Sequence, residues 1–181
     1  MKRSIWIGVF AIILIVVVYV GYTLLTTKSH SPSAEANANL KGTEISVTYC
    51  QPFKKGRLIF GAKEDGALQP YGVYWRLGAN EATEITFSTD VAFAGSPVKA
   101  GTYRMYAVPG KSEWEVSLNS ELGKWGAFEP NHDLDVVKVR LPVKSMDDVV
   151  EQFNITFDTD STGVLMNFSW DQTKVSVPIA K

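Results

Sequence analysis

The segment Lys54–Asn80, KKGRLIFGAKEDGALQPYGVYWRLGAN, holds the densest set of side chains able to recognise another molecule. Lys54, Lys55, Arg57 and Arg76 bring positive charge, and Tyr71, Tyr74 and Trp75 bring rings. In extended backbone Arg57 shares a face with Ile59, and Arg76 with Tyr74, so both guanidiniums lie beside apolar neighbours. A partly buried guanidinium requires a partner, and its planar fork fits a carboxylate or a phosphate. Two readings follow. In one, Lys55, Arg57, Arg76 and Asn80 capture an anionic or sugar-like ligand, with Tyr71, Trp75 or Trp125 stacking on it. In the other, the arginines pair with Glu81, Glu84 or Asp90 and pin a long loop to a sheet.

Other chemistry is thinly represented. The glycines at 56, 61, 66, 72 and 78 lack the strand before and helix after that a phosphate-binding loop needs, so they read as turn glycines. Asn131-His132-Asp133-Leu134-Asp135 is the one place where a histidine and carboxylates cluster. One histidine with two aspartates is an incomplete zinc set, and the run lacks the length of a calcium loop. It reads as a solvated turn before a strand at Val136. No G-x-S-x-G elbow is present, and His132 would have to act as sole base. Cys50 is the single cysteine, which excludes an internal disulfide and reads as a small buried hydrophobe. No catalytic residue, metal site or cofactor is assigned. Non-catalytic binding of a small anionic ligand, an envelope glycan or an envelope protein is the leading expectation. An envelope hydrolase using His132 or a carboxylate pair, and a protein–protein assembly domain, are the alternatives.

Composition narrows the classes further. With 18 Lys+Arg against 19 Asp+Glu there is no basic excess of the kind that nucleic acid demands. Five tryptophans within 12% aromatic content are enough to fill a core. A chain of 181 residues is expected to form one domain plus accessories.

Those accessories lie at the N-terminus. Met1-Lys2-Arg3 precedes the uncharged run from Ile5 to Leu25. About 20 helical residues cross a hydrocarbon core of about 30 Å. The reading is therefore a cytoplasmic N-terminus at 1–4 and a transmembrane helix at 5–25, with the lipid bilayer as its partner. The basic flank orients it as a single-pass, uncleaved anchor of a bacterial inner membrane, with the domain on the extracytoplasmic side. Residues 26–40 are small and polar and read as a flexible linker, with His30 solvated.

From Glu44 onward the dominant period is two. Ile45, Val47 and Tyr49 alternate with polar residues, as do Ile85 and Phe87, and Tyr103, Met105 and Ala107. Trp114, Val116 and Leu118 alternate with Glu113, Glu115 and Ser117, the clearest strand with one wet face. Val137–Val143, Phe153–Phe157, Val164–Trp170 and Val175–Ile179 continue the pattern. Short turns separate these runs, which predicts an all-β domain over 41–181, an antiparallel β-sandwich of about 8–10 strands. Asp147–Gln152 and Asn80–Thr83 could each make one helical turn. Pro178 marks an edge strand, because proline cannot donate to a ladder.

Several motifs occur together: K-G-R-x-I-F-G at Lys55–Gly61, P-Y-G-x-x-W-R-x-G-A-N at Pro70–Asn80 and T-x-I-x-F at Thr83–Phe87. A-G-T-Y at Ala100–Tyr103, Pro109, Trp114, Asn119 and Trp125-Gly126 follow in order. Over residues 40–180 the chain resembles the bacterial family called domain of unknown function 2911, found mostly in exported proteins of Bacteroidetes-type bacteria. The resemblance implies an extracytoplasmic β domain and no established activity. In that family the first motif strand usually ends Tyr-Ser-Arg-Pro; here it runs Tyr49-Cys50-Gln51-Pro52, so this chain lacks one positive charge there.

Overall fold

The structure is a computed structural model that describes residues 2–159 and 163–181; the side chains of 2–5 and 23–28 lie outside that description. Strand makes up 55% of the chain, so the class is mostly antiparallel β-sheet with one N-terminal helix.

The helix, α1, runs Lys2–His30. Its large apolar side chains from Trp6 to Tyr22 are all exposed. Among the described residues no helix is long and apolar enough to cross a membrane. The span expected at 5–25 therefore draws no support from the fold. Its ends, residue 5 and residues 23–25, have side chains outside the described set.

The next element corrects the expected linker. β1 (Ser33–Leu40) pairs antiparallel with β2 (Thr43–Cys50) along its whole length. The reason is a period-two pattern in small residues: Ala34, Ala36 and Ala38 pack against the core while Glu35, Asn37 and Asn39 face out. The rest of 26–40, up to His30, belongs to α1.

Among the described residues nine strands form one hydrogen-bonded order, β1-β2-β5-β8-β9-β10-β11-β6-β7. The additional members are β5 (Thr83–Phe87), β6 (Val91–Phe93), β7 (Ser96–Val98), β8 (Gly101–Val108), β9 (Glu113–Asn119), β10 (Asp135–Thr159) and β11 (Val164–Ala180). β3 (Phe60–Gly61) and β4 (Gln69–Pro70) make a separate short parallel pair. β10 explains how a single order encloses a core. Its first part pairs with β9 up to Pro142, its remainder pairs with β11 from Val143, and the register breaks between Ser145 and Asn154. Extra residues of this kind bend a strand and increase its twist. The two halves of the sheet then face each other, with Tyr49 against Phe153 (5.8 Å between ring centroids) and Phe87 against Phe93 (6.4 Å).

Four further expectations change. Asp147–Gln152 is part of β10 and not a helical turn, and Asn80–Thr83 leads directly into β5. The runs at 164–170 and 175–179 are one strand, β11, with Asp171 at positive φ within it. Pro178 is not on an edge strand, because β6 flanks β11; its carbonyl accepts from Ala94 N–H at 2.7 Å. The edges are β1 and β7.

Candidate functional site

The Lys54–Asn80 segment is fixed to the sheet at several points. Trp75 and Ala107 exchange both backbone hydrogen bonds at 2.8 Å, and Gly72 N–H donates to the Pro109 carbonyl. Lys54 Nζ bonds Asp171 at 2.6 Å, and Glu151 takes both the Lys54 and Lys55 N–H groups, through its carbonyl and carboxylate respectively. Gly78 sits at φ 154°, where a Cβ would meet the Cys50 carbonyl oxygen at 2.8 Å, so only glycine fits there without displacement.

This fixing creates a cleft of about 420 Å³ whose walls include Lys55, Arg57 and Arg76. Phe53 and Leu68 supply apolar wall, and His30 and Ser31 bring the end of α1 to its edge. Among the described residues no carboxylate lines it. Among the described residues neither arginine forms an ion pair. Arg57 donates to the carbonyls of Lys54 and Phe53 in its own turn, which holds the guanidinium in position without neutralising it. Burial, with the nearby charge of Arg104 adding to it, pulls the Arg76 guanidinium below its ordinary pKa. Trp170 also lines the cleft, and its buried indole N–H has no hydrogen-bond partner among the described residues. Such a surface attracts anions, and paired guanidiniums suit a carboxylate or phosphate.

Four expected site residues lie elsewhere. Trp75 is 2% exposed and belongs to the core, where it stacks on Trp170 (5.8 Å, 22° between planes) and meets Trp114 and Phe153 edge-on. It is out of a ligand's reach. Asn80 is buried and bonds the Ser31 carbonyl through its side chain, while its own carbonyl accepts from Gly126 N–H at 3.1 Å. It joins three segments. Tyr71 is exposed but does not line the cleft, and Trp125 lines a different depression of about 360 Å³ with Glu81, Glu84 and Lys124.

A second polar group lies on the outer face of β8 and β9. The alternation that makes Trp114, Val116 and Leu118 point inward predicts a wet opposite face. Instead Arg104, Tyr106, Ser117 and Asn119 are all at most 1% exposed. Residues 120–134, ending in a short 3-10 helix at His132–Leu134, lie over them. The hydroxyl of Tyr106 donates to Asp135 Oδ2 at 2.8 Å, and Asn119 Nδ2 donates to Asp135 Oδ1 at 2.7 Å. The phenol has one proton, so His132 Nδ1, 2.9 Å away, must carry the hydrogen of that contact. Burial raises the Asp135 carboxyl, but hydrogen bonds from Asn119, Tyr106 and Lys138 outweigh it and hold the pKa below the ordinary value. Burial, with Asp135 beside it, pushes the Tyr106 phenol well up. The turn expected at 131–135 is solvent-exposed from Asn131 to Leu134, and only the Asp135 side chain is buried, as an anchor. The signal for it was the pairing of Arg104 and Tyr106 with Ser117 and Asn119 on one face, beside a stretch that has neither period.

Comparison with known families settles the relationship. The profile of the family described as "Protein of unknown function (DUF2911)" matches residues 31–179. The chain belongs to the DUF2911 family. No curated protein and no solved structure matches it. The match begins at residue 31, before β1, which agrees with β1 being part of the domain.

Within this DUF2911 domain nucleophilic chemistry is poorly supplied. Burial, reinforced by Glu81, raises the Cys50 thiol, which disfavours the reactive thiolate. No serine or cysteine is hydrogen-bonded to His132 among the described residues. Nor is any group of three or more His, Cys, Asp or Glu placed to hold a metal ion among them.

Proposed function

We propose that this DUF2911 protein is a membrane-anchored, non-catalytic binding module whose folded-over sheet serves as a β-sandwich scaffold for an anion-accepting cleft. One observation carries the reading: Lys55, Arg57 and Arg76 converge on a single cleft that has no acidic wall among the described residues. The ligand class is a small carboxylate or phosphate, or an acidic glycan, held by guanidinium forks beside Phe53 and Leu68.

The anchor is α1, with its N-terminus in the cytoplasm and the domain outside a bacterial inner membrane. Its apolar side chains are exposed along the whole described stretch, an arrangement that suits lipid and not water. Lys2 and Arg3 supply the basic flank on the inner side. Because α1 ends at His30, on the lip of the cleft, ligands would be taken close to the membrane surface.

Titrating the full chain with pyrophosphate and with an acidic disaccharide, followed by tryptophan emission, tests the cleft. A saturable change that disappears in a Lys55→Glu, Arg57→Glu variant is expected. An equal response from that variant, or none from the wild type, would overturn it.

A further inference from the structure

Arg104 in β8 is 1% exposed, yet no carboxylate lies within ion-pair distance of it among the described residues. One of its terminal nitrogens donates to the Tyr74 hydroxyl at 2.5 Å and to the Phe128 carbonyl. The other, together with Nε, is buried with no partner among the described residues. A buried charge is tolerated when a counter-charge and full hydrogen bonding compensate it. Here a phenol and a neutral carbonyl bond it directly, while at the same Tyr74 Arg76 adds positive field and Glu129, on the segment 120–134, adds negative field without reaching ion-pair distance of Arg104.

The groups that occupy this place come largely from the segment 120–134. The Phe128 carbonyl meets Arg104, and the Gly126 carbonyl takes the Tyr74 proton at 2.9 Å. The same segment points its large apolar side chains outward: Leu122, Trp125, Phe128 and Leu134 are all exposed. Hydrogen bonds therefore hold it down, not a buried apolar face.

We propose that Arg104 and Tyr74 form an oxyanion-binding site, with residues 120–134 as a strap whose Phe128 carbonyl stands in for an oxygen of the anion. The ligand class is a carboxylate or phosphate. Charge-assisted bonds to such an oxygen are roughly twice as strong as those to a neutral carbonyl, so the anion displaces the strap. Arg104 does not line the cleft described above, so this inference stands apart from that reading.

The test uses the full chain in detergent with inorganic phosphate and, separately, acetate at constant ionic strength. Binding is read by calorimetry, and strap opening by tryptic cleavage after Lys124, which is exposed on the strap. At least one anion is expected to bind and to speed cleavage at Lys124. The faster cleavage should vanish in Arg104→Gln and persist in Lys55→Glu, Arg57→Glu, which disables the cleft, and Arg104→Gln should remove the binding heat that remains in that variant. A phosphate-only response assigns the site to phosphates, and an acetate-only response to carboxylates. Should Arg104→Gln fail to fold, Gly126→Ala decides. Its Cβ would lie 2.6 Å from Arg76 Cδ and 2.8 Å from the Asn80 and Glu81 carbonyl oxygens, which pries the strap up. That variant should bind the anion several-fold more tightly. No anion response in the wild type, an unchanged response in Arg104→Gln, or weaker binding in Gly126→Ala would overturn the proposal.

Discussion

The cleft and the strap-covered cluster use the same chemistry under opposite conditions. In the cleft, Lys55 and Arg57 remain exposed, and water meets most of the cost of keeping three like charges together. Beneath the strap, Arg104, Tyr106, Asn119 and Asp135 are withdrawn from water, and each group depends on the hydrogen bonds it finds. The contrast teaches where substitutions should act. Changes in the cleft should alter binding and spare the fold, whereas changes in the cluster or the core beneath it should alter the fold first.

The largest expected effect separates core from site. Trp75→Ala removes a ring packed among Phe60, Trp114, Phe153 and Trp170, and should cost about 3–5 kcal/mol by denaturant unfolding. Normal stability with lost ligand binding would return Trp75 to the site and erase the distinction.

Next comes Asp135→Asn, which should cost about 1.5–3 kcal/mol, the range for hydrogen bonds to a charged group. The pH dependence has a definite sign. The folded carboxyl titrates below the unfolded value of about 3.9, so its contribution is present above that pH and is lost as pH falls through the folded value. Below about pH 4 the wild type should therefore lose stability that the Asp135→Asn variant never had. Parallel acid limbs in the two proteins would show that the cluster is not held by this charge.

The smallest effect lies at the cleft margin. Lys54→Ala breaks a partly exposed pair with Asp171, and should cost no more than about 1 kcal/mol. It should also loosen the turn that carries Arg57, weakening ligand binding measurably. Unchanged binding would mean that the turn holds without it.

How much of this was legible in the sequence differs between the two regions. Period-two runs such as Ile45–Tyr49 and Trp114–Leu118 disclosed the β class, because alternation needs no tertiary information. The β1 strand was hidden because alanine contributes little hydrophobic contrast to Ala34, Ala36 and Ala38. Lys55, Arg57 and Arg76 could be grouped from composition and turn glycines, and they do share a cleft. Trp75 and Trp125 could not be sorted, since a tryptophan suits a core and a stacking platform equally. The buried cluster was the least legible. Arg104 and Tyr106 alternate with apolar neighbours like any solvent-facing pair, and only the return of residues 120–134 across the sheet removes them from water.

Calorimetric titration of the full chain with pyrophosphate, comparing the wild type with Arg57→Ala, Arg76→Ala, tests the central claim most directly. The account predicts that the double variant keeps its unfolding midpoint and loses the binding heat of the cleft, leaving only heat that Arg104→Gln abolishes. Undiminished binding by a folded double variant, or its collapse before any ligand is added, would contradict the assignment of these arginines to a ligand.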